Sequence, residues 1–192
     1  MDLAQKRPEP SSLSFLYPLE PEDRDVYNAA ADVISRRFTE GKHHVGAAVR
    51  DSSGKIYTAV HLQGVIGEPA VCAEKVAIGC ARTENENLVD LSVAIRHPKP
   101  NEKNGRLLVL PPCGSCRELI GDYGGRNAWV ILEVNHELFK ARIADLLPLR
   151  RWTRGGSLAA ALTRRNSAKT SPAMSLSKGC GWKSSAARQG SS

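Results

Sequence analysis

The sequence predicts an α/β protein in which helices cover both faces of one mixed β-sheet. Segments with apolar residues at helical spacing alternate with short runs rich in β-branched residues. The first two of those runs are separated only by a polar, glycine-containing turn at residues 51–54, which indicates an antiparallel hairpin. Later runs are separated by helical segments, which favours helices on both faces of the same sheet.

The first half of the chain predicts two helices and a hairpin. The first helix is expected over residues 22–38, where apolar side chains recur at helical spacing. Pro21 suits its start and Gly41 suits its end. The remaining elements follow in order: strands over 45–50 and 55–62, then a helix over 72–83.

The second half continues the alternation around one long polar loop. That loop covers residues 97–106 and contains two prolines. A third helix is expected from residue 113 to about residue 122, because Gly124 and Gly125 follow it. The other elements are strands over 91–95, 128–134 and 136–142, an apolar run over 107–110, and a short helix or turn over 144–147.

Composition divides the chain into an N-terminal arm (1–20), one folded domain (21–152) and a basic tail (153–192) that is expected to be disordered. The net charge is +7, but nine Lys or Arg and no acids lie from residue 150 onward. The preceding part therefore carries 18 bases against 20 acids. This balance argues against a folded body built to bind nucleic acid.

The chain contains no apolar run of about 18 residues, so no membrane-spanning helix is expected. It also lacks the apolar stretch of a secretory signal, which predicts a cytoplasmic protein with reduced thiols. Five cysteines are present, and an odd number argues against a disulfide framework. Clustered cysteines in a reducing compartment indicate metal binding or catalysis.

The Cys113–Cys116 pair has the spacing Cys-x-x-Cys and follows two prolines at the start of a predicted helix. This spacing brings both sulfurs to one point, and a helix N-terminus favours thiolates. Taken alone, the motif leaves three interpretations open: a zinc site, a redox dithiol, or coincidence.

Cys72 and Glu74 favour the zinc interpretation, because they add a third thiol and a carboxylate at another predicted helix start. Three thiolates leave one zinc position open for catalysis. A ligand-x-Glu motif followed by Pro-Cys-x-x-Cys is typical of zinc deaminases. The alternative is a closed structural zinc site with His61 or His97 as fourth ligand. Cys80 is interpreted as a small buried apolar residue.

At these residues the sequence resembles the cytidine deaminase family, in its cytidine and blasticidin-S deaminase-like branch. The resemblance covers about residues 22–147. It is carried by Cys72-Ala-Glu74 and Pro112-Cys-Gly-Ser-Cys-Arg117, with support from the segments 45–48, 54–57 and 146–148.

The resemblance implies a three-layer α/β/α fold around a five-stranded mixed sheet, and a homo-oligomer, often a tetramer. It also implies a hydrolase that acts on the C–N bond of a cyclic amidine. The expected reaction is the conversion of cytidine or deoxycytidine to uridine or deoxyuridine and ammonia, as in pyrimidine salvage. The expected partner is a small-molecule pyrimidine nucleoside or analogue, and Zn²⁺ is the expected cofactor.

Glu74 is the predicted catalytic residue, and Cys72, Cys113 and Cys116 are the predicted metal ligands. Zinc lowers the pKa of a bound water toward neutrality. Glu74 then serves as general base and, afterwards, as the acid that returns protons to the ring nitrogen and the leaving amine. Three thiolates leave the site with excess negative charge, so a cation is expected nearby. Lys75 and Arg117 are the candidates for charge balance, and both also suit ordinary solvated helix positions.

The residues expected to bind the sugar of the substrate depart from the family pattern. Family members that bind free nucleosides usually present Asn-x-Glu after the second strand, whereas this chain has His61-Leu-Gln63. His61 has either donor or acceptor capacity for a hydroxyl, and Gln63 can bind one without charge. His43 stands where the family places an aromatic ring, and Ala73 is also assigned to the substrate site. A cytosine-containing antibiotic such as blasticidin S, or a modified nucleoside, is therefore the alternative substrate.

Two other functions remain as lower-ranked hypotheses. A polynucleotide deaminase would need a basic groove, for which only the tail supplies charge. A non-catalytic zinc module would use the same tail to bind an acidic partner and would not need Glu74.

Overall fold

A computed structural model describes residues 13–67, 69–100, 102 and 105–152. The three helices in these ranges are α1 (Pro21–Arg37), α2 (Ala73–Glu84) and α3 (Gly114–Gly124). The strands are β1 (Tyr17–Pro18), β2 (Val45–Asp51), β3 (Ile56–Val60), β4 (Val89–Arg96), β5 (Leu108–Leu110), β6 (Trp129–Val134) and β7 (Glu137–Arg142).

The strands form one mixed sheet in the order β1-β7-β6-β4-β2-β3, with β5 paired to β4. Strands β4 and β6 are parallel, and the other pairs are antiparallel. The predicted α/β class is confirmed. The sheet has seven strands in the described ranges rather than the expected five. Strands β1 and β5 are two and three residues long, which is too short for an alternating sequence pattern to reveal them.

The helices cover both faces of the sheet. Successive residues of a strand point to opposite faces, so neighbouring residues of β2 show which helix lies on each side. On β2, Ala48 packs in the core that α1 covers, whereas Val49 packs in the core that contains Ala77 of α2. Helix α3 covers the same face as α2, with Ile120 buried in that core. The three-layer arrangement follows, and it leaves the starts of α2 and α3 on one side of the sheet.

Helix α1 lies directly on the beginning of β2, at Gly46. A Cβ atom placed on Gly46 would lie 2.8 Å from the Cβ of Ile34 and 3.0 Å from the carbonyl oxygen of Ala30. Real Cβ atoms essentially never lie less than 3.0 Å from another heavy atom, so the contact with Ile34 could not form without a shift of α1 or β2. The absent side chain therefore sets how closely α1 approaches the strand that later forms one wall of the candidate site.

A buried ion network joins the start of α1 to the sheet. Asp23 is 1% exposed and accepts hydrogen bonds from Lys140 Nζ (2.7 Å) and Arg50 Nη2 (3.1 Å). Burial alone would raise the pKa of Asp23, but the bond from Lys140, the backbone N–H of Glu20 and the nearby charges lower it overall. The carboxylate is thus held ionised and ties α1 to β2 and β7.

The end of the predicted arm (1–20) contacts the sheet, since Tyr17 and Pro18 form β1 and pair with β7. One expectation about a side chain differs from the structure. Cys80 was expected to be buried and is exposed. Ala77, Ala81 and Ile78 form the buried face of α2, and Cys80 lies about 90° around the helix from the centre of that face.

The remaining expectations about the ends of the chain concern residues outside the described ranges: the first part of the arm (1–12) and the basic tail (153–192). Within the described residues, no helix combines the length and the apolar character needed to cross a membrane.

Candidate active site

Helices α2 and α3 both begin directly after a cysteine. Cys72 is the N-cap of α2 and Cys113 is the N-cap of α3, and both have extended backbone conformations. The Cys113 sulfur also caps its helix, since it accepts the backbone N–H of Cys116 at 3.4 Å. Pro111 and Pro112 precede this cap and disfavour helix for the residues before each of them. The local sequence thus places a sulfur at each helix start.

The sulfur atoms of Cys72, Cys113 and Cys116 all lie within 4.8 Å of one another. The sulfurs of Cys72 and Cys113 are 3.8 Å apart. Cys116 is buried, Cys72 is half-buried and Cys113 is exposed, so the cluster lies where core meets solvent. In the part of the chain that the structure describes, no second group of His, Cys, Asp or Glu side chains converges in this way.

The electrostatics of the cluster favour a bound cation. Burial raises the pKa of the Cys116 thiol, and the charge of Glu74 raises it further. Burial also raises the pKa of Cys72. For Cys113 burial acts in the same direction, but hydrogen bonds from the Cys116 amide and the neighbouring thiols outweigh it, and the pKa is lowered. Three thiolates beside a carboxylate therefore need a positive charge, and a thiolate-binding metal such as zinc fits this donor set.

Glu74 is the second residue of α2 and is only 6% exposed. Its charge acts on all three thiols, which places the carboxylate beside the sulfur cluster. Glu74 also lines the cavity described below, together with Cys72 and Cys113. A nearly buried carboxylate that lies beside a cluster able to hold a metal and also lines a cavity is well placed to move protons.

The cavity beside the cluster has a volume of about 220 Å³. Its walls are largely apolar, and polar groups are contributed by His61, Glu74, Cys72 and Cys113. The apolar walls come from β2, β4, the end of β5, the first residue of α2 and the segments before the two cysteines: Val45, Ala70, Val71, Ala73, Ala94, Leu110 and Pro111. This volume lies below the roughly 300–1,000 Å³ of sites for drug-sized ligands, so it suits one small ring.

His61 lines this cavity, and its ring is held by the backbone of the opposite strand. Its Nδ1 accepts the N–H of His44 at 3.0 Å and the N–H of Val45 at 3.1 Å. Burial lowers the pKa of His61, and His44 and His43 lower it further, while hydrogen bonds with Gln63 and Val45 act in the opposite direction. The ring is therefore held in its neutral form more strongly than a free histidine.

The other predicted substrate residues are placed differently. Ala73 lines the cavity. His43 does not, because its ring turns toward His61, with Nδ1 2.9 Å from the His61 carbonyl oxygen. Gln63 is exposed, and its side-chain N–H₂ donates to the Gly64 carbonyl at 3.4 Å.

The two candidates for charge balance also differ. Lys75 is half-buried in the first turn of α2 and does not line the cavity. Arg117 Nη1 donates to the Leu146 carbonyl at 2.9 Å. The Nε of Arg117 is buried, and no hydrogen-bond partner lies within the described residues. Arg117 thus combines a fixed position next to Cys116 with an unused donor.

The two histidines considered as a fourth ligand do not join the sulfur cluster in the described structure. His97 stacks on Phe38 with ring centroids 3.8 Å apart. His61 uses Nδ1 for backbone N–H groups. The cavity walls formed by Ala70, Val71 and Leu110 were not anticipated, although each precedes a cysteine motif in the sequence.

The fold is that of the cytidine deaminases. The crystal structure of the cytidine deaminase from Bacillus anthracis matches with a TM-score of 0.59 and 20% identity, covering 76% of this chain and 98% of its own. The cytidine deaminase from Burkholderia pseudomallei matches with a TM-score of 0.55 and 19% identity, covering 67% of this chain and 98% of its own. At such identities the similarity establishes the architecture.

Sequence similarity identifies the family. The family model described as the cytidine and deoxycytidylate deaminase zinc-binding region matches residues 21–132. Blasticidin-S deaminase from Bacillus cereus is 40% identical over 132 residues, which is 69% of this chain and 94% of that protein. Cytidine deaminase from Mycobacterium tuberculosis H37Rv is 31% identical over 106 residues, 54% of this chain and 69% of that protein. The chain belongs to the cytidine and deoxycytidylate deaminase family, which confirms the resemblance seen in the motifs.

Proposed function

We propose that the protein is a zinc-dependent hydrolytic deaminase that removes the exocyclic amino group of a cytosine-type ring. The observation that carries this proposal is the convergence of three cysteine sulfurs beside a nearly buried glutamate, at the edge of a cavity of about 220 Å³. The family match over residues 21–132 supports it independently.

Cys72, Cys113 and Cys116 would hold the metal. Zinc in such a site supplies a Lewis acid that makes water a nucleophile near neutral pH. Glu74 accepts a proton from the attacking water as its oxygen bonds to the ring carbon that carries the amine. Glu74 gives this proton to the ring nitrogen. It then takes the remaining proton from the hydroxyl on the ring carbon and passes it to the amine, so the C–N bond breaks, a carbonyl forms and ammonia leaves. One carboxylate therefore acts first as a base and then as an acid.

The apolar walls would bind the ring and exclude water. Val45 and Ala94 come from neighbouring strands, and Val71 and Leu110 precede the two cysteine motifs. A flat ring between these side chains would be held against Glu74 and the sulfur cluster. Since the walls offer few polar groups, orientation would depend on Glu74 and His61.

The substrate we favour is a cytosine nucleoside analogue of the blasticidin S type. Support comes from the 40% identity to the Bacillus cereus blasticidin-S deaminase over 94% of that protein. Gln63 is neutral and exposed, and it stands where family members that bind free nucleosides usually have a glutamate. This difference suits a substrate whose binding does not depend on a carboxylate at the ribose. Cytidine or deoxycytidine is the second candidate, supported by the Mycobacterium tuberculosis relative.

A substrate panel tests the proposal. The purified, zinc-loaded protein would be given blasticidin S, cytidine, deoxycytidine, cytosine and a short single-stranded oligonucleotide, with ammonia measured for each. We expect the highest kcat/KM with blasticidin S. Deamination of the oligonucleotide alone would favour a polynucleotide deaminase. Absence of ammonia from every compound, at one zinc per chain, would favour a non-catalytic zinc module and overturn the proposal.

We also propose that the protein acts in the cytoplasm, where its thiols stay reduced, and as a homo-oligomer, a tetramer by resemblance. Val65 and Ile66 support the second point, because both are apolar and exposed in the segment between β3 and α2. Light scattering of the purified protein would measure the mass, and a monomer at micromolar concentration would contradict this assignment.

A further inference from the structure

Both nitrogens of the His61 ring are occupied when the ring is neutral. Its Nδ1 lies 3.0 Å from the backbone nitrogen of His44 and 3.1 Å from that of Val45. A backbone N–H only donates, so Nδ1 is the acceptor and the single ring proton lies on Nε2. The Gln63 side chain also hydrogen-bonds the ring and, since Nδ1 faces the two amides, it does so at Nε2. The neutral ring therefore has no free nitrogen.

Protonation of His61 would disrupt these contacts at one atom. The second proton of an imidazolium can enter only on Nδ1, because Nε2 already carries the first. That proton would meet the N–H groups of His44 and Val45, so three donors would face one another without an acceptor. A protonated ring must therefore leave its position, and both amides then lose their hydrogen bond to it.

His43 behaves differently in the same part of the fold. Its Nδ1 lies 2.9 Å from the carbonyl oxygen of His61 and, because an oxygen only accepts, Nδ1 carries a proton. A second proton on His43 would enter on Nε2 and leave this hydrogen bond intact. Of these two histidines, His61 is thus the one whose charge is coupled to the position of the backbone.

We propose that His61 is a positioning residue that acts as a pH-sensitive switch: its neutral ring holds one wall of the cavity in place, and its protonated ring releases that wall. The wall is the beginning of β2, where Val45 lines the cavity together with His61. Loss of two hydrogen bonds would loosen the contact between Val45 and a bound ring. Glu74 and the sulfur cluster should keep their places, because they belong to the starts of α2 and α3.

The charged and titratable groups that face His61 come from three parts of the fold. His44 and His43 precede β2, with ring centroids 5.7 and 6.3 Å from that of His61. The starts of α2 and α3 contribute the groups that line the same cavity: Cys72, Glu74 and Cys113. In the described ranges, His61 does not belong to the sulfur cluster. Burial, then His44 and His43, hold the pKa of His61 below its ordinary 6.5, so the wall is released on the acid side of that pH.

His61→Asn separates the acceptor from the charge. Its carboxamide oxygen takes the place of Nδ1 and can accept the two amides, but the side chain does not titrate. KM would be measured at about pH 7 and about pH 5 for the panel compound with the highest kcat/KM. On acidification, the KM of the wild type should rise about 3- to 10-fold more than that of the variant, the effect of about one lost hydrogen bond.

His136→Asn is the matched control, since it removes an exposed histidine from the turn between β6 and β7. Its KM should change with pH as that of the wild type does. Equal changes of KM in the wild type and in His61→Asn would overturn the proposal.

Hydrogen exchange tests the switch in the zinc-loaded wild type, without turnover and without a variant. Nuclear magnetic resonance of ¹⁵N-histidine-labelled protein would give the pH at which Nδ1 of His61 becomes protonated. Below that pH, exchange of the His44 and Val45 amides should become about 3- to 10-fold faster, relative to the intrinsic rates of an unstructured chain. Protonation of His61 with both amides still protected would overturn the proposal, as would a ring that stays neutral until the protein unfolds in acid.

The kinetic test rests on the proposed function, whereas the exchange measurement does not. Absence of ammonia from every cytosine compound would overturn the proposed function and leave the switch to be decided by the amides of His44 and Val45. The two failures are therefore distinguishable.

Discussion

The two walls of the cavity are built in different ways. The helix wall carries Cys72, Glu74 and Cys113 at or next to helix N-caps, so its side chains are placed by the first turns of α2 and α3. The strand wall carries Val45 and His61, which are held together by hydrogen bonds between residues 16 positions apart. The cysteines and the glutamate are thus encoded in short motifs, whereas the position of His61 depends on how two strands meet.

Substitution of Cys116 is expected to have the largest effect on the helix wall. Loss of a residue that only orients a metal ligand lowers metal affinity by up to about 100-fold. Cys116→Ala removes a ligand itself, so we expect zinc affinity to fall by more than about 100-fold. Activity should be lost with the metal. Zinc per chain would be measured by atomic emission, with the exposed Cys80→Ala on α2 as control. Full zinc content in Cys116→Ala would contradict the assignment of this wall.

Glu74→Gln should have the next largest effect, because it removes proton transfer and leaves the sulfurs in place. We expect kcat to fall about 10²- to 10⁴-fold, the usual contribution of general acid–base catalysis. Zinc content should not change, which separates this variant from the cysteine variant. Glu84→Gln, at the exposed end of the same helix, is the matched control. An active Glu74→Gln enzyme would exclude the proposed proton transfers.

Gly46→Ala tests the strand wall. The added Cβ would lie 2.8 Å from the Cβ of Ile34, so α1 and β2 must separate. We expect the free energy of unfolding to fall by about 1–3 kcal/mol, as in other overpacked cores. The KM should rise more than kcat falls, because the amides of His44 and Val45 would shift. Urea denaturation would measure the first effect.

Gly79→Ala provides the control from the helix wall. Apart from the neighbouring backbone of α2, no atom of the described residues lies within 4 Å of a Cβ placed at Gly79, and the residue is exposed. Alanine is favoured over glycine inside a helix by about 1 kcal/mol, so this variant should be slightly more stable than the wild type. Equal losses of stability in both glycine variants would contradict the close approach proposed for Gly46.

The smallest expected effect is a pH dependence confined to the strand wall. The pKa of His61 is lowered by burial and by His44 and His43, from an ordinary value of 6.5. The unfolded chain therefore binds a proton near pH 6.5 that the folded protein does not yet bind. The contribution of His61 to the free energy of unfolding is therefore fully present above about pH 6.5, the pKa of the unfolded chain. This contribution is lost as the pH falls through the lower pKa of His61 in the folded protein.

Unfolding free energies at about pH 7 and about pH 5 would measure this effect in the wild type and in His61→Asn, which lacks the titrating ring. The wild type should lose more stability on acidification than the variant. Equal losses in the two proteins would show that His61 does not titrate differently in the folded and unfolded states.

The elements with strong local patterns were predicted well from the sequence. The long periodic segment of α1 and the short apolar runs of β2 and β6 appear within a few residues of their predicted bounds. The mixed sheet and helices on both faces are confirmed as well. Strands β1 and β5 were not predicted as strands, because two or three residues acquire strand structure only by pairing with a neighbour.

Side-chain placement was predicted less completely. Cys80 is exposed because the sheet decides which face of α2 is buried, and small apolar residues do not mark that face sharply. His43 turns to the His61 carbonyl rather than lining the cavity, a choice made by a residue 18 positions away. Periodicity and residue type contain no information on such pairings.

The sequence by itself determined which chemical groups the candidate site contains. Two cysteines that each begin a helix, a glutamate two residues after one of them and a Cys-x-x-Cys spacing specify their local geometry through a single turn of backbone. Only the tertiary structure decided that the two helix starts meet, with sulfurs within 4.8 Å, and that the ring of His61 accepts hydrogen bonds on Nδ1. The physical reason is range: a helix start depends on neighbouring residues, whereas these contacts depend on sheet pairing between distant ones.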